Sequence, residues 1–456
     1  MVIAKQNKNR GILLTEGTPW KGLLQFAIPI FIGSLLQQLY HTLDTMMVGK
    51  MIGEQALSGV GTCGVLTNLL LAFSVGFSAG SSVISAQLYG AKKTKEITRN
   101  AYASFIFLSI LGIVIGGISI VGGKFLLKTL VAVPDSLIEY ATEYFTICAI
   151  GFIFQFLYNG IAALLRSVGD SQASLYFLTI SSLSNIALNY AFIVWFHMGV
   201  AGAAWATVLS QFLACGVSFW YMIKKYEMFR FWKKGIRLET QDFSIIINTG
   251  FPMALQSMVG TIFNLFVQRL VNSFGDAMIA SYTVVSRVEG YMHLPTNTLN
   301  QAISTYTAQN IGAKKPERIS KGLKHTVMMT TEITLICSII SFMFAEPITT
   351  FFGISGQSAA YCIQHIRTLA FPFLLFAFYF PCTGLYQGAG KGMASTMMST
   401  TFLVLCLTFG YGLQYIPSIG YTSLFICKPL AWMILVPINY MYYFRGNWRN
   451  TKIITK

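Results

Sequence analysis

Ser85-Ala-Gln-Leu-Tyr-Gly-Ala-Lys-Lys93 returns as Thr307-Ala-Gln-Asn-Ile-Gly-Ala-Lys-Lys315, with six of nine residues identical at an offset of 222. A second echo sets Leu164-Leu-Arg-Ser-Val-Gly-Asp170 against Leu385-Tyr-Gln-Gly-Ala-Gly-Lys391 at an offset of 221, and Pro29 is matched by Pro252. A near-constant offset at three loci predicts a chain built from two similar halves. Composition says what surrounds them. Only 11% of the 456 residues are charged and 54% are hydrophobic, with 36 Phe and a mean hydropathy of +0.60. A soluble domain carries about 25% charged residues. So few charges cannot clothe a water-facing surface of this size, so lipid must replace water around most of the chain. An ordinary cytosolic enzyme, a disordered tail protein and a secreted disulfide scaffold are excluded.

Working outward from the repeat, apolar segments follow one another over 20–48, 56–89, 99–121, 138–165, 172–196 and 199–223, then 243–272, 278–310, 322–345, 358–388, 392–416 and 419–444. Each is long enough to cross about 30 Å of hydrocarbon as a helix at about 1.5 Å per residue. The expected architecture is therefore an all-α polytopic membrane protein with twelve transmembrane helices in two pseudo-symmetric six-helix bundles. The expected boundaries are a tail over 1–18, an N-lobe over 19–225, a linker over 226–242, a C-lobe over 243–446 and a second tail over 447–456. An even number of helices per half makes the repeat parallel.

The net charge of +16 raises the question of an acidic partner. Placed on the twelve-helix scheme, 25 Lys and Arg fall in the tails and even-numbered loops, including Lys92, Lys93, Lys314 and Lys315, and three fall on the other side. That split puts both termini in the cytoplasm of a plasma (inner) membrane protein. It also accounts for the basic excess without nucleic acid. The first 18 residues show no removable signal peptide. The eight cysteines lie in or beside apolar stretches without a C-x-x-C pair, and read as reduced packing residues.

Charges inside spans are costly and mark function by default. Asp44, in Leu39-Tyr-His-Thr-Leu-Asp-Thr-Met-Met-Val48, is the strongest case. Tyr40 stands one turn earlier on the same face, and Pro29, with no N–H to donate, permits a kink in the same helix. Asp44 can carry a proton or hold a cation. Asn185 and Asn189, one turn apart, and Thr207 on the next helix each read, taken alone, as an interhelical hydrogen bond before a ligand; together with Asp44 they can supply oxygens for a small cation or a proton-linked network. In the second half the polar candidates are Gln256, Asn264, Arg269 and Glu289, with Arg269 and Glu289 expected to pair across helices.

With these residues in place, the chain resembles the MATE (multidrug and toxic compound extrusion) family of the MOP superfamily, over about residues 15 to 445. The likeness rests on Pro29, Tyr40, Asp44-Thr-Met-Met-Val-Gly49, the paired Ala-Gln-x-x-Gly-Ala-Lys-Lys loops, Arg166-Ser-Val-Gly-Asp170, Gly199-Val-Ala-Gly-Ala-Ala204 and Ser286-Arg-Val-Glu289. It implies two six-helix lobes around a V-shaped central cavity, and efflux of amphipathic, often cationic compounds driven by inward H⁺ or Na⁺. Tyr40, Asp44, Asn185, Asn189 and Thr207 match the N-lobe cation-site pattern of some prokaryotic members, which makes Na⁺ at Asp44, Asn185, Asn189 and Thr207 one reading. Those members often have Asp at position 189; Asn189 leaves Asp44 as the one acid, which tilts the reading toward H⁺. Gly260 stands near a position where one bacterial branch carries a C-lobe acid, and the tenth segment has no Asp or Glu.

The expected activity is thus secondary antiport of small organic substrates by alternating access, by a monomer in the lipid bilayer with no cofactor beyond the coupling ion, rather than enzymatic catalysis. The competing reading is a lipid-linked oligosaccharide or related lipid flippase of the same superfamily. It would call for a more heavily basic interior than the four basic residues found within spans.

Overall fold

The computed structural model describes residues 11–231, 235–446 and 448–449. The expected tail residues 1–10, the linker residues 232–234 and most of the expected tail 447–456 lie outside the described residues. Among the described residues the regular structure is helical throughout. The helices are α1 (Pro19–Met51), α2 (Glu54–Gly90), α3 (Thr94–Leu126), α4 (Ile138–Ile150), α5 (Phe152–Ser167), α6 (Ser171–Tyr190), α7 (Gly199–Lys225), α8 (Thr240–Asn272), α9 (Asp276–Gly312), α10 (Pro316–Met343), α11 (Ala345–Phe351), α12 (Gly356–Ala370), α13 (Leu374–Gly388), α14 (Gly392–Leu413) and α15 (Ser423–Phe444).

Nine of these segments are individually long and apolar enough to cross a membrane. Two further spans, expected as single helices, are bent pairs: α4 and α5 meet at 51°, α12 and α13 at 61°. The first bend falls at Gly151, and the second carries Pro372, which cannot donate to the preceding turn. Helix α9 completes the twelve. It is 37 residues long, but its run of Ser, Thr and Asn lowers its hydropathy. The short helix α11 has no counterpart among the expected segments.

The chain divides into two compact units. The first holds residues 28–258 with 11–14; the second holds the described residues from 259 onward with 15–27. Gln256, expected with the second half, therefore belongs to the first unit. The reason is close packing of small residues. A Cβ built on Gly76 would lie 2.2 Å from the Ala254 backbone, and one on Gly80 would lie 2.5 Å from Gly250 Cα. The start of α8 is held against α2 by this backbone-to-backbone approach.

The repeat is visible at atomic detail. After α2, Lys92 N–H donates to Tyr89 O (3.0 Å) and Lys93 N–H to Leu88 O (2.9 Å); after α9, Lys314 N–H donates to Ile311 O (3.0 Å) and Lys315 N–H to Asn310 O (2.9 Å). These are paired Schellman caps. The left-handed residue in each is a lysine, Lys92 (φ 59°) and Lys314 (φ 56°), while Gly90 and Gly312 are the last helical residues. The second echo forms a matching pair of caps with glycine in the left-handed place, Gly169 (φ 88°) and Gly390 (φ 73°).

Both units hold cores of interlocked aliphatic and aromatic side chains, such as Phe145, Phe152 and Phe156 in the first and Phe373, Phe376 and Trp432 in the second. All eight cysteines are free, and seven are buried, as packing residues would be.

Candidate ion-coupling site

Asp44 stands on the last two turns of α1. Because the six spans of a unit alternate in direction, the end of α1, the end of α6 and the start of α7 converge. This convergence is at the end of the unit opposite the Gly-Ala-Lys-Lys turn. The polar residues scattered over 170 positions of sequence therefore meet. Asn189 Nδ2 donates to Asp44 Oδ1 at 2.6 Å and to Asn185 Oδ1 at 2.6 Å. Asn185 Nδ2 in turn reaches Thr207 Oγ1 and Ser210 Oγ, each at 3.4 Å. Thr207 donates to Ala203 O (3.1 Å), which fixes its hydroxyl against α7. The hydroxyl of Tyr40 also lies within hydrogen-bonding reach of Thr207.

Asp44, Tyr40, Asn185, Asn189 and Thr207 are thus brought together. Three participants were not singled out from sequence. Ser210 lies one turn after Thr207. Tyr144 on α4 reaches Thr207, and Cys148, one turn on, reaches Tyr144. The one-turn spacing of Thr207 and Ser210 was available as a signal. Nothing in the sequence marks Tyr144 among 22 tyrosines.

Local sequence shapes this end. Asn185 and Asn189 are fully buried. Immediately after Asn189, residues Ala191–Trp195 form a π-helical turn, a feature frequent at functional sites. His197 and Gly199 then take positive φ (52° and 58°) to start α7.

The chemistry of the cluster is that of hard oxygens around a single carboxylate. Buried amides are normally satisfied, yet Asn189 Oδ1 is buried without a hydrogen-bond partner. Asp44, Asn185, Thr207 and this free carbonyl oxygen suit a small monovalent cation, and Asp44 suits a proton. Among the described residues there is no cluster of three His, Cys, Asp or Glu side chains suited to a transition metal.

The second-half candidates do not assemble. Asn264 and Arg269 are exposed on α8, and Gln256 is half-buried in the first unit. The expected Arg269–Glu289 pair is not formed. Glu289 instead holds Lys428 of α15, with Nζ 2.8 Å from Oε1 and 2.5 Å from Oε2. Arg269 lies near the end of α8 where it faces outward, while Lys428 enters the span from the start of α15 and reaches the carboxylate. Asp170, one of the residues carrying the family likeness, has a packing role. It caps α6 by accepting from Ala173 N–H and also accepts from Tyr221, Lys225 and Tyr226.

A family model, MatE, matches the chain twice, over residues 29–191 and 249–412, which is more than half of its length and one match per half. The chain belongs to the MatE family. As a MatE protein it is a membrane transporter and not an enzyme. It is 26% identical to "Probable multidrug resistance protein YpnP" of Bacillus subtilis (strain 168), over 97% of this chain and 98% of that protein. It is 24% identical to "Multidrug export protein MepA" of Staphylococcus haemolyticus (strain JCSC1435), over 84% of each. Its fold matches a solved multidrug resistance MATE family transporter of the MOP superfamily, described in an outward-facing conformation, with a TM-score of 0.90. That match has 22% identity and covers 97% of this chain and 99% of the other.

Proposed function

We propose that this MatE protein is a secondary active multidrug exporter of the plasma membrane. It acts as a monomer with both termini in the cytoplasm and exchanges amphipathic, often cationic organic molecules for inward H⁺ or Na⁺ by alternating access. The observation that carries this reading is the Asp44 cluster: one intramembrane carboxylate held by a single amide donor, beside a buried amide oxygen with no partner. A group so poised can trade its Asn189 hydrogen bond for a proton or cation at little structural cost. Coupling then requires that ion and substrate favour opposite-facing states. Pro29, inside α1 and fifteen residues before Asp44, would serve as the flexible point that lets α1 answer to the ion.

The test is reconstitution in liposomes with H⁺ and Na⁺ gradients imposed separately. One gradient drives accumulation of an organic cation by the wild type, and Asp44→Asn abolishes it. Full gradient-driven transport of every substrate by Asp44→Asn would remove Asp44 from the mechanism.

A further inference from the structure

The two units carry different solutions at equivalent places. Their closing helices register at Gly199 and Gly420, both at positive φ (58° and 49°). That register, 221 residues, places Lys428 on α15 where Thr207 stands on α7. It also places His365 on α12 where Tyr144 stands on α4. Glu289 lies in the first half of α9, so by the alternation of spans it is at the same end of its unit as Lys428. In the first unit this end gathers a carboxylate, two amides and a hydroxyl. In the second it gathers a carboxylate and an ammonium.

The pair is enclosed. Glu289 and Lys428 side chains are 10% and 15% exposed. His365 stacks on Phe425 with ring centroids 4.3 Å apart, and neither of its ring nitrogens has a hydrogen-bond partner. Beside the carboxylate is a cavity of about 10 Å³ lined by Glu289 and apolar side chains of α9 and α12. That volume holds about one water-sized body. Lysine is a point charge on a flexible stem, able to deliver an ammonium where a free cation would otherwise sit.

We propose that Glu289 is the carboxylate of a second monovalent-cation site, in the second unit, and that its cation is the tethered ammonium of Lys428. Lys428 is then the residue that excludes free ions from this unit and confines ion exchange to Asp44. The site's chemistry stands on the Glu289–Lys428 geometry. Its meaning for transport rests on the reading of Asp44 as the exchanging group.

Removing the ammonium should open the site. The measurement is the thermal unfolding midpoint of the purified protein in sodium, methylammonium or choline chloride, in an Asp44→Asn background that silences the first unit. Asp44→Asn/Lys428→Thr is expected to gain roughly 3 °C or more, saturably, when sodium or methylammonium replaces choline. Asp44→Asn alone, and the same double variant with Glu289→Gln added, should gain nothing. A folded double variant that ignores both cations, or a response that survives Glu289→Gln, overturns the proposal. Should Lys428→Thr aggregate in choline, folded recovery in methylammonium supports it. Aggregation in every cation, with Glu289→Gln/Lys428→Met folded, overturns it. Normal transport by Asp44→Asn would sink the reading of the first unit while leaving this cation response to be scored on its own.

Discussion

Asp44 and Glu289 are carboxylates at the same end of two similar units, and they are answered by groups of different charge. Asp44 is answered by a neutral amide, Asn189 at 2.6 Å. Glu289 is answered by a full charge, Lys428 at 2.5 and 2.8 Å. A neutral donor leaves the charge of the site free to change, because taking up a proton or cation costs one hydrogen bond. A buried ion pair locks the charge, because removing either partner strands the other in a low dielectric. The comparison teaches that the same end of two similar units can carry carboxylates on different helices, one open to exchange and one held rigid, with Thr207 of the first unit standing where Lys428 stands in the second.

The largest effect that can break this contrast is on stability. Glu289→Gln should destabilise the protein by about 3–5 kcal/mol, because the Lys428 ammonium is left buried and unpaired. Asp44→Asn should change stability by no more than about 1 kcal/mol, since an amide can replace the carboxylate against Asn189. Unfolding midpoints of the two variants, read by loss of the folded peak in size exclusion after heating, decide the matter. Equal losses would mean that both carboxylates are structural. The double variant Glu289→Gln/Lys428→Met should recover most of the stability, because the buried charges leave together.

A smaller effect sharpens the first unit. Asn189→Asp places a second carboxylate beside Asp44 and draws on the same oxygens that now include the unpartnered Asn189 Oδ1. Where sodium is the coupling ion, two acids bind it more firmly than one, and the sodium concentration for half-maximal transport should fall roughly tenfold. Titrating transport against sodium at fixed pH measures it. An unchanged sodium dependence would show that position 189 does not face the ion.

The architecture was legible in the sequence because the long apolar segments and the repeat are both additive over many residues. Twelve segments and a two-fold repeat survive a few local errors. The first-unit cluster was legible for a related reason: Asp44 is an acid, and Asn185, Asn189 and Thr207 are hydrogen-bonding side chains, within long and largely apolar segments. Three things were not legible. The 61° bend before α13 is set by one proline in a span that hydropathy reads as continuous. The start of α8 joins the first unit through glycine contacts that have no hydropathic signal at all. The partner of Glu289 was misread because Arg269 and Lys428 are equally cationic on paper. Only the direction of α15 brings Lys428 inward.

The smallest effect tests the symmetry itself. Lys92 and Lys314 occupy left-handed positions that a side chain disfavours by about 1–2 kcal/mol and that glycine takes freely. Against this stands the extra backbone entropy of glycine in the unfolded chain, about 0.5–1 kcal/mol. Lys92→Gly and Lys314→Gly should therefore each stabilise the protein by about 0.5 kcal/mol. Both lysines are exposed, and their caps share the same hydrogen bonds within 0.1 Å, so the two gains should match. The turns differ only one residue on. Lys93 faces Glu96 at 3.7 Å, whereas Lys315 Nζ donates to Thr15 O at 3.0 Å. Alanine at these two positions should therefore give unequal losses, with the larger at Lys315, which also holds the Thr15 carbonyl within the second unit. Matched gains at the glycine pair with unequal losses at the alanine pair would show that the backbone repeat is conserved between the units while its side chains have been put to separate uses. Equal losses at the alanine pair would mean that the tail contact contributes nothing to the fold.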